Sequence, residues 1–281
     1  MTLSSTAHPL PPIAFIGGGN MAGAILGGLR RAGLPASQFE VVEPFAATRE
    51  RLAAEQGVQA QATAGTALQR CALVVWAVKP QVFAQAAADT RAFLAPGALH
   101  LSVAAGIPSD SIARWLGSEH VVRAMPNTPA LVGQGMTGLY ARPAVDAPGR
   151  AQVEQLLQPT GRLLWVEAES ALDAVTALSG SGPAYVFYFI ESMVAAGIDM
   201  GLTPEQAHAL AVGTFTGASA LAAASQEPPA TLRERVTSKG GTTHAAISAL
   251  EAAQVKALFG QAIRAAEQRA RELAQEFGQA S

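Results

Sequence analysis

The chain is short of the side chains that most often carry covalent or metal chemistry. Its 281 residues include one cysteine, Cys71, and five histidines. A single thiol can form neither an intrachain disulfide nor a thiolate metal cluster. The histidines (His8, His100, His120, His208 and His244) are scattered and form no His-x-His or His-x-x-x-His ligand pair. There is no Cys/His nucleophile pair, no G-x-S-x-G elbow and no P-loop. Lysine is scarce as well: Lys79, Lys239 and Lys256 are the full set, and the arginines form no basic run. With a net charge of -2, the chain lacks the clustered cations that a phosphate backbone requires, which excludes nucleic acid as a partner. Only 14% of residues are charged and 49% are hydrophobic, so the chain is not disordered and can bury a large core. Long apolar runs are missing too. The longest strongly apolar run, Cys71–Val78, is far below the roughly 20 residues of a membrane helix. Residues Met1–Pro12 lack the basic start and apolar stretch of a secretory signal. The expected address is the cytoplasm, without a membrane partner.

What is present falls into two parts. From Ile13 to about Val166, short apolar runs alternate with helical stretches. Strands are expected at Ile13–Ile16, Glu40–Val42, Leu73–Val78, His100–Val103, Val121–Ala124, Gly138–Tyr140 and Leu163–Val166. Helices are expected at Met21–Ala32, Ala46–Gln56, Ala64–Arg70, Pro80–Leu94 and Ser109–Leu116. Continuous apolar strands alternating with helices predict an α/β unit with a mostly parallel sheet, buried on both faces. After about Glu167, strand signals give way to Ala-rich helices, five or six of them, ending in a long one from Val255 to Phe277. Thr203-Pro204-Glu205-Gln206 carries a hydroxyl cap, a first-turn proline and a reciprocal Gln, a strong helix start. The expected division is residues 1–166, the α/β unit, and 167–281, an all-α unit. Several of its helices, Ala184–Met200 for one, are apolar on more than one face, and a second subunit is the simplest cover for them.

Two segments point to anion binding. The first strand runs into Gly17-Gly18-Gly19-Asn20-Met21-Ala22, a G-x-G-x-x-A pattern that opens an apolar helix. Gly17 permits the tight turn, Gly19 lets backbone approach a pyrophosphate, and Ala22 lets the helix pack on the strand. A glycine turn without a ligand is the alternative, and the strand–turn–helix context weighs against it. Glu43, at the end of the second strand, can accept hydrogen bonds from the adenosine ribose, or can be a solvated strand-end carboxylate. It would repel a 2′-phosphate unless Arg49 or Arg51 intervenes, so NADH is expected to serve at least comparably to NADPH. The second segment is Val236–Ala245, where Gly240-Gly241 precede Thr242-Thr243 and a helical pattern. It offers a second nest of N–H groups, sized for a small anion, at a helix start, with Thr242 or Thr243 as cap. Arg123–Pro129 is a Pro-rich turn expected on the ligand-binding rim of the sheet.

Taken together, Phe15–Met21 (FIGGGNM), Ala77–Gln81 (AVKPQ), Ser102–Ile107 (SVAAGI), Arg123–Ala130 (RAMPNTPA), Leu178–Tyr185 (LSGSGPAY) and Val236–Thr243 (VTSKGGTT) make the chain resemble pyrroline-5-carboxylate reductase. The resemblance runs from near Ile13 to near Leu273. It implies a Rossmann-like domain, a helical domain that dimerises, and reduction of 1-pyrroline-5-carboxylate to proline, the last step of proline biosynthesis, by hydride from NADPH or NADH. It implies cofactor contacts at Gly17–Ala22, at Ala77, Val78, Lys79 and Pro80, and at Val103, Ala104 and Ala105. It implies a substrate loop at Ser238, Gly240, Gly241, Thr242 and Thr243, with the Thr243 hydroxyl as the catalytic donor to the imine nitrogen. A homodimer is implied, with room for a higher oligomer of dimers. Two positions depart from the family pattern: Lys239 stands where the family usually has Pro, and Ala64 where it often has Asn. The rival enzyme is a hydroxyacid or keto-acid reductase of the same plan, but no lysine lies between Lys79 and Lys239 to serve as its helix-borne catalytic group. A non-catalytic NAD(P)H-sensing protein is the rival of another class, and the intact substrate loop argues against it.

Overall fold

The structure, a computed structural model, describes residues 10–278. The chain divides into two compact units. One comprises the residues through Ser181 together with those from Ala266 onward; the other is Gly182–Ala265.

The first unit is built on an eight-stranded sheet: β1 (Ile13–Ile16), β2 (Phe39–Val42), β3 (Ala60–Gln61), β4 (Leu73–Trp76), β5 (Leu99–Ser102), β6 (Val121–Met125), β7 (Gly135–Ala141) and β8 (Gly161–Trp165). The spatial order is β3-β2-β1-β4-β5-β6-β7-β8. All neighbours pair in parallel except β6 and β7, which are antiparallel. The central strands read IAFI and LVVW, every residue buried, because both faces are covered. On one face α1 (Asn20–Arg31), α2 (Ala46–Gln56) and α5 (Ala147–Leu157) supply Ile25, Leu26, Leu29, Leu52, Val153 and Leu156 to one core. On the other, α3 (Phe83–Thr90) and α4 (Ser109–Leu116) pack Phe83, Ala87 and Ile112 around Trp76.

Two of the expected helices differ. Ala64–Arg70 is a 3₁₀ turn over Thr66–Arg70, and Pro80–Leu94 splits into a 3₁₀ turn (Pro80–Val82), α3 and another 3₁₀ turn (Arg91–Phe93). The sheet ends at Trp165, close to the expected division at residue 166, yet the compact division falls later. Helix α6 (Ala171–Val175) and a widened π-type turn, Thr176–Gly180, belong with the sheet. Val175 fills the space over Gly138 of β7, within 2.6 Å of where a Cβ would stand.

The second unit is helical: α7 (Gly182–Asp199), α8 (Pro204–Ala224), α9 (Pro229–Arg235), α10 (Thr242–Ala252) and the first part of α11 (Val255–Gly278). Helix α8 begins at the expected capping box, Thr203 and Gln206 bonding each other's backbone N–H. By length and composition α8 is also apolar enough to cross a membrane. Gly197 and Ala207 bring α7 and α8 together, and Phe259 joins Tyr185 and Phe189 in edge-on ring contacts. Large apolar side chains nevertheless stay exposed here: Phe187, Tyr188, Met200, Leu210 and Leu221. The remainder of α11 belongs to the first unit, where Leu273 and Phe277 lie against Gly106 in the β5–α4 loop and the Ser111 hydroxyl donates to Gly278 O.

Candidate functional site

Register puts the carboxyl ends of the central strands on one edge: Ile16 pairs with Val42 and Trp76, and Trp76 with Ser102. The residues that follow, Gly17, Glu43, Ala77 and Val103, therefore form one rim. After β1 the chain moves outward to β2 and β3, then returns to β4 on the opposite side of β1. Ligands of open α/β sheets bind at such a reversal. Gly17 N–H donates to Val42 O (2.8 Å) and Ala77 N–H to Ile16 O (2.8 Å), which locks the rim together.

Gly17 sits at φ +97, and a Cβ there would fall 2.6 Å from Ala77 O. Both facts demand glycine. Gly19 caps α1 without any side-chain hydrogen bond, and a Cβ on it would meet nothing within 4 Å. The loop thus presents an open cradle against uncapped N–H groups and the positive end of the α1 dipole. Asn20 is exposed, Met21 half-buried and Ala22 buried against the sheet. The residues present fit a dinucleotide pyrophosphate. Along the rim, Val78 reaches within 3.0 Å of the Gly17 Cβ position, Lys79 is exposed and Pro80 opens the 3₁₀ turn. Val103 and Ala105 are half-buried and Ala104 is buried.

Glu43, expected at the ribose, turns inward. It is 5% exposed, and its carboxylate oxygens accept from Gly18 N–H and Phe45 N–H, both at 2.8 Å. Two guanidiniums surround this point. Arg49 donates to Glu43 O (2.9 Å) and Pro44 O (2.6 Å), and Arg51 to Gly18 O (3.1 Å).

On the far side of the rim, buried Asn127 bridges two segments: its Nδ2 donates to Ser179 O (3.0 Å) and its Oδ1 accepts from Met136 N–H (2.9 Å). The end of the expected Arg123–Pro129 turn is thereby tied to the Thr176–Gly180 turn, while its first three residues, Arg123–Met125, belong to β6. The sequence placed that turn on the rim but gave Asn127 no task; a lone Asn between two prolines was the available signal. Behind it, buried Arg123 pairs with Glu169 (2.6 Å), which also accepts from Ser109 N–H (2.6 Å).

In the helical unit, Ser238, Lys239 and Gly240 are exposed, and the turn closes with Gly241 N–H donating to Ser238 O at 3.0 Å. Gly241 caps α10, with no side-chain hydrogen bond. Neither Thr242 nor Thr243 occupies the cap, so Thr243 stands one residue inside the helix. The first N–H groups of α10 have no capping side chain, which suits a small carboxylate.

Titratable groups add little to the rim. Burial pushes Cys71 up to about 11, so it is an unreactive thiol at neutral pH. Burial pushes His100 down to about 4, where it is a neutral acceptor for the Trp76 indole N–H at 3.3 Å. Burial also raises Asp173, against Arg123 and Arg271. Among the described residues no group of His, Cys, Asp and Glu is arranged to hold a metal. The glycine cradle and the α10 start can each receive an anion.

Comparison with known proteins agrees with this geometry. Residues 12–106 match a family model described as NADP oxidoreductase coenzyme F420-dependent, and residues 169–273 match one described as pyrroline-5-carboxylate reductase dimerisation. The pyrroline-5-carboxylate reductase of Pseudomonas aeruginosa is 46% identical over 96% of this chain and 99% of its own length. The structure of a pyrroline-5-carboxylate reductase from Coxiella burnetii superposes with a TM-score of 0.87 at 36% identity, covering 95% of this chain and 99% of that one. The Plasmodium falciparum pyrroline carboxylate reductase with NADP bound gives 0.82 at 26% identity over 94% and 98%. With an open glycine cradle at a sheet reversal and relatives of this identity over nearly its whole length, the chain belongs to the pyrroline-5-carboxylate reductase family.

Proposed function

We propose that the chain reduces the C=N bond of 1-pyrroline-5-carboxylate, giving proline as the last step of its biosynthesis. The observation that carries this reading is the open, uncapped Gly17–Ala22 cradle at the β1/β4 reversal, in a chain with an equally uncapped second nest at α10. When bound, NADPH or NADH supplies the hydride. The chain's own contribution is binding and orientation. Gly17–Ala22 hold the pyrophosphate, and Ala77, Val78, Lys79 and Pro80 with Val103, Ala104 and Ala105 line the rim where the nicotinamide half would lie. Ser238, Gly240, Gly241 and the first N–H groups of α10 at Thr242 and Thr243 receive the substrate carboxylate. Positioning of the imine carbon against the hydride donor supplies much of the rate, and an imine that arrives protonated needs no strong acid or base, because hydride on its carbon leaves the nitrogen as the neutral amine.

Thr243 is the donor to the imine nitrogen, which gains electron density as hydride reaches the carbon. Its place inside α10, with Gly241 in the cap position, leaves the hydroxyl no capping duty. Thr243→Ala is expected to lower kcat/KM for the imine at least tenfold, since losing one such donor costs about a hundredfold in comparable sites. NADPH affinity should be unchanged. Normal turnover in this variant would overturn the assignment and direct attention to Ser238.

The match to the dimerisation model from residue 169 supports a functional division near 166/167 and a homodimer. Exposed Phe187, Tyr188, Met200, Leu210 and Leu221 support the same reading, and assembly of dimers into a larger ring is compatible with it. Helix α8, rich in Ala, Gly and Thr, suits close packing against a partner helix, so we assign it to the dimer and not to a membrane. The reading completes as a soluble cytoplasmic enzyme with a small-molecule substrate and no nucleic-acid partner.

A further inference from the structure

We infer that Glu43 is a positioning residue that clamps the glycine loop, and that Arg49 and Arg51 read the adenosine 2′ position, so that the chain selects the 2′-phosphorylated dinucleotide. The inference deepens the reading above and rests on it.

A carboxylate at the end of the second strand of a dinucleotide fold usually accepts from the ribose hydroxyls and repels a 2′-phosphate. Glu43 has the right position and the wrong orientation. One oxygen is taken by Gly18 N–H and the other by Phe45 N–H, each at 2.8 Å, and the residue is 5% exposed. An ionised carboxylate accepting two backbone N–H groups makes strong, short bonds, and turning it outward would leave the buried Gly18 N–H without this partner. Its Cγ also lies within 3.3 Å of the Gly18 Cβ position, alongside Leu52 at 2.6 Å, so the loop and the side chain are packed on each other. Glu43 therefore joins the glycine loop after β1 to the turn after β2. It also removes Gly18 N–H from the pyrophosphate, leaving that task to the N–H groups at Gly19 and beyond.

With the carboxylate withdrawn, the charge presented at the end of β2 is positive. Arg49 is held over the strand end by Glu43 O and Pro44 O through one nitrogen, Nη1, which leaves Nη2 and Nε for a ligand. Arg51 is held through Nη2 by Gly18 O and lies 3.6 Å from Glu55, a half-exposed pair that a phosphate can outbid. Two guanidiniums anchored to backbone at one strand end suit the planar, two-pronged grip that phosphate favours. Phe45 beside them is 72% exposed and offers a flat face to an adenine ring.

The test is a fluorescence titration of the intact protein with NADPH and with NADH, which needs no imine, followed by steady-state kinetics. Wild type is expected to bind NADPH at least tenfold more tightly, with an affinity that falls more steeply with salt than that for NADH. Arg49→Ala and Arg51→Ala should each weaken NADPH binding about tenfold or more and move NADH less than about threefold. Glu43→Gln keeps one acceptor and faces an amide N–H against the other donor. Both nucleotides should weaken together, by about tenfold, with kcat at saturating nucleotide retained. A direct ribose reader would behave oppositely, losing NADH alone and gaining NADPH. That pattern, a wild type indifferent to the 2′-phosphate, or a Glu43→Gln variant with a lower Tm and unchanged affinities would overturn the inference. Absence of binding to either nucleotide would instead overturn the functional reading beneath it.

Discussion

Replacing Gly17 by alanine isolates the close contact with Ala77 on which the proposed cofactor rim depends. Two costs apply. The backbone at φ +97 lies in the region that L side chains avoid, at roughly 1–2 kcal/mol. The new Cβ would also stand 2.6 Å from Ala77 O and 2.8 Å from Ala77 C, where ordinary contacts begin at 3.4 Å. Both neighbours are backbone held by the Ala77 N–H bond to Ile16 O, so no side chain can swing aside. Overpacking of this kind costs roughly 1–3 kcal/mol, and the sum is a loss of about 2–5 kcal/mol from a fold of ordinary stability. The loop and the β4 exit must part by a large fraction of an ångström, and a misplacement of about 1 Å can cost a hundredfold in function. Urea denaturation and NADPH titration read the two effects. Gly19→Ala is the control: its Cβ meets nothing within 4 Å, so stability should hold while the methyl occupies the cradle and nucleotide binding falls. A Gly17→Ala protein within about 0.5 kcal/mol of wild type that binds NADPH normally would refute the reasoning, as would a Gly19→Ala protein with undiminished affinity.

Two further outcomes are expected. His100 is held neutral by burial, near 4 in the fold against 6.5 when unfolded, so the unfolded chain binds the extra proton first and stability falls as pH drops from about 6.5 toward 4. The loss approaches about 3 kcal/mol and should be smaller in His100→Gln; equal slopes of urea midpoint against pH for the two proteins would contradict this. Light scattering at micromolar concentration should show a dimer or a multiple of it, and an active, stable monomer would count against the assigned role of the exposed α7 and α8 side chains.

Strands β1 and β4 were legible because buried parallel strands are written as unbroken apolar runs, and β5 and β6 remained legible although His100, Ser102 and Arg123 interrupt theirs. Edge strand β3 was not: Ala60 and Gln61 are two residues without a hydrophobic signal, held by the register of Val41 and Val42. Helix α5 escaped because Pro148 and Gly149 sit in its first turn, although Asp146 caps it by accepting from Gly149 N–H at 2.8 Å. The stretch after Pro80 looked like one helix because its composition is helical throughout, while local turns decide where the hydrogen bonds tighten to 3₁₀. In the site, the glycine loop was legible from spacing, since each glycine answers a local steric demand. The direction of Glu43 was not, because it depends on Gly18, distant in sequence, presenting an unpaired N–H at bonding distance. Asn127 was obscure for the same reason: its partner Ser179 lies in a turn that the sheet alone brings near.

The packing of Leu273 and Phe277 against Gly106 has a consequence for synthesis. The loop that carries Val103, Ala104 and Ala105 emerges long before its cover, because the whole helical unit, Gly182–Ala265, lies between them in the chain. At roughly 5–20 residues per second, the ribosome takes on the order of 10–30 s to pass from one to the other. Throughout that interval the whole helical unit is translated while one face of the nucleotide-binding unit stays unsealed. A nascent chain can form β1 to β6 in sequence, but it covers the β5–α4 loop only after the segment that carries Leu273 and Phe277 has been made.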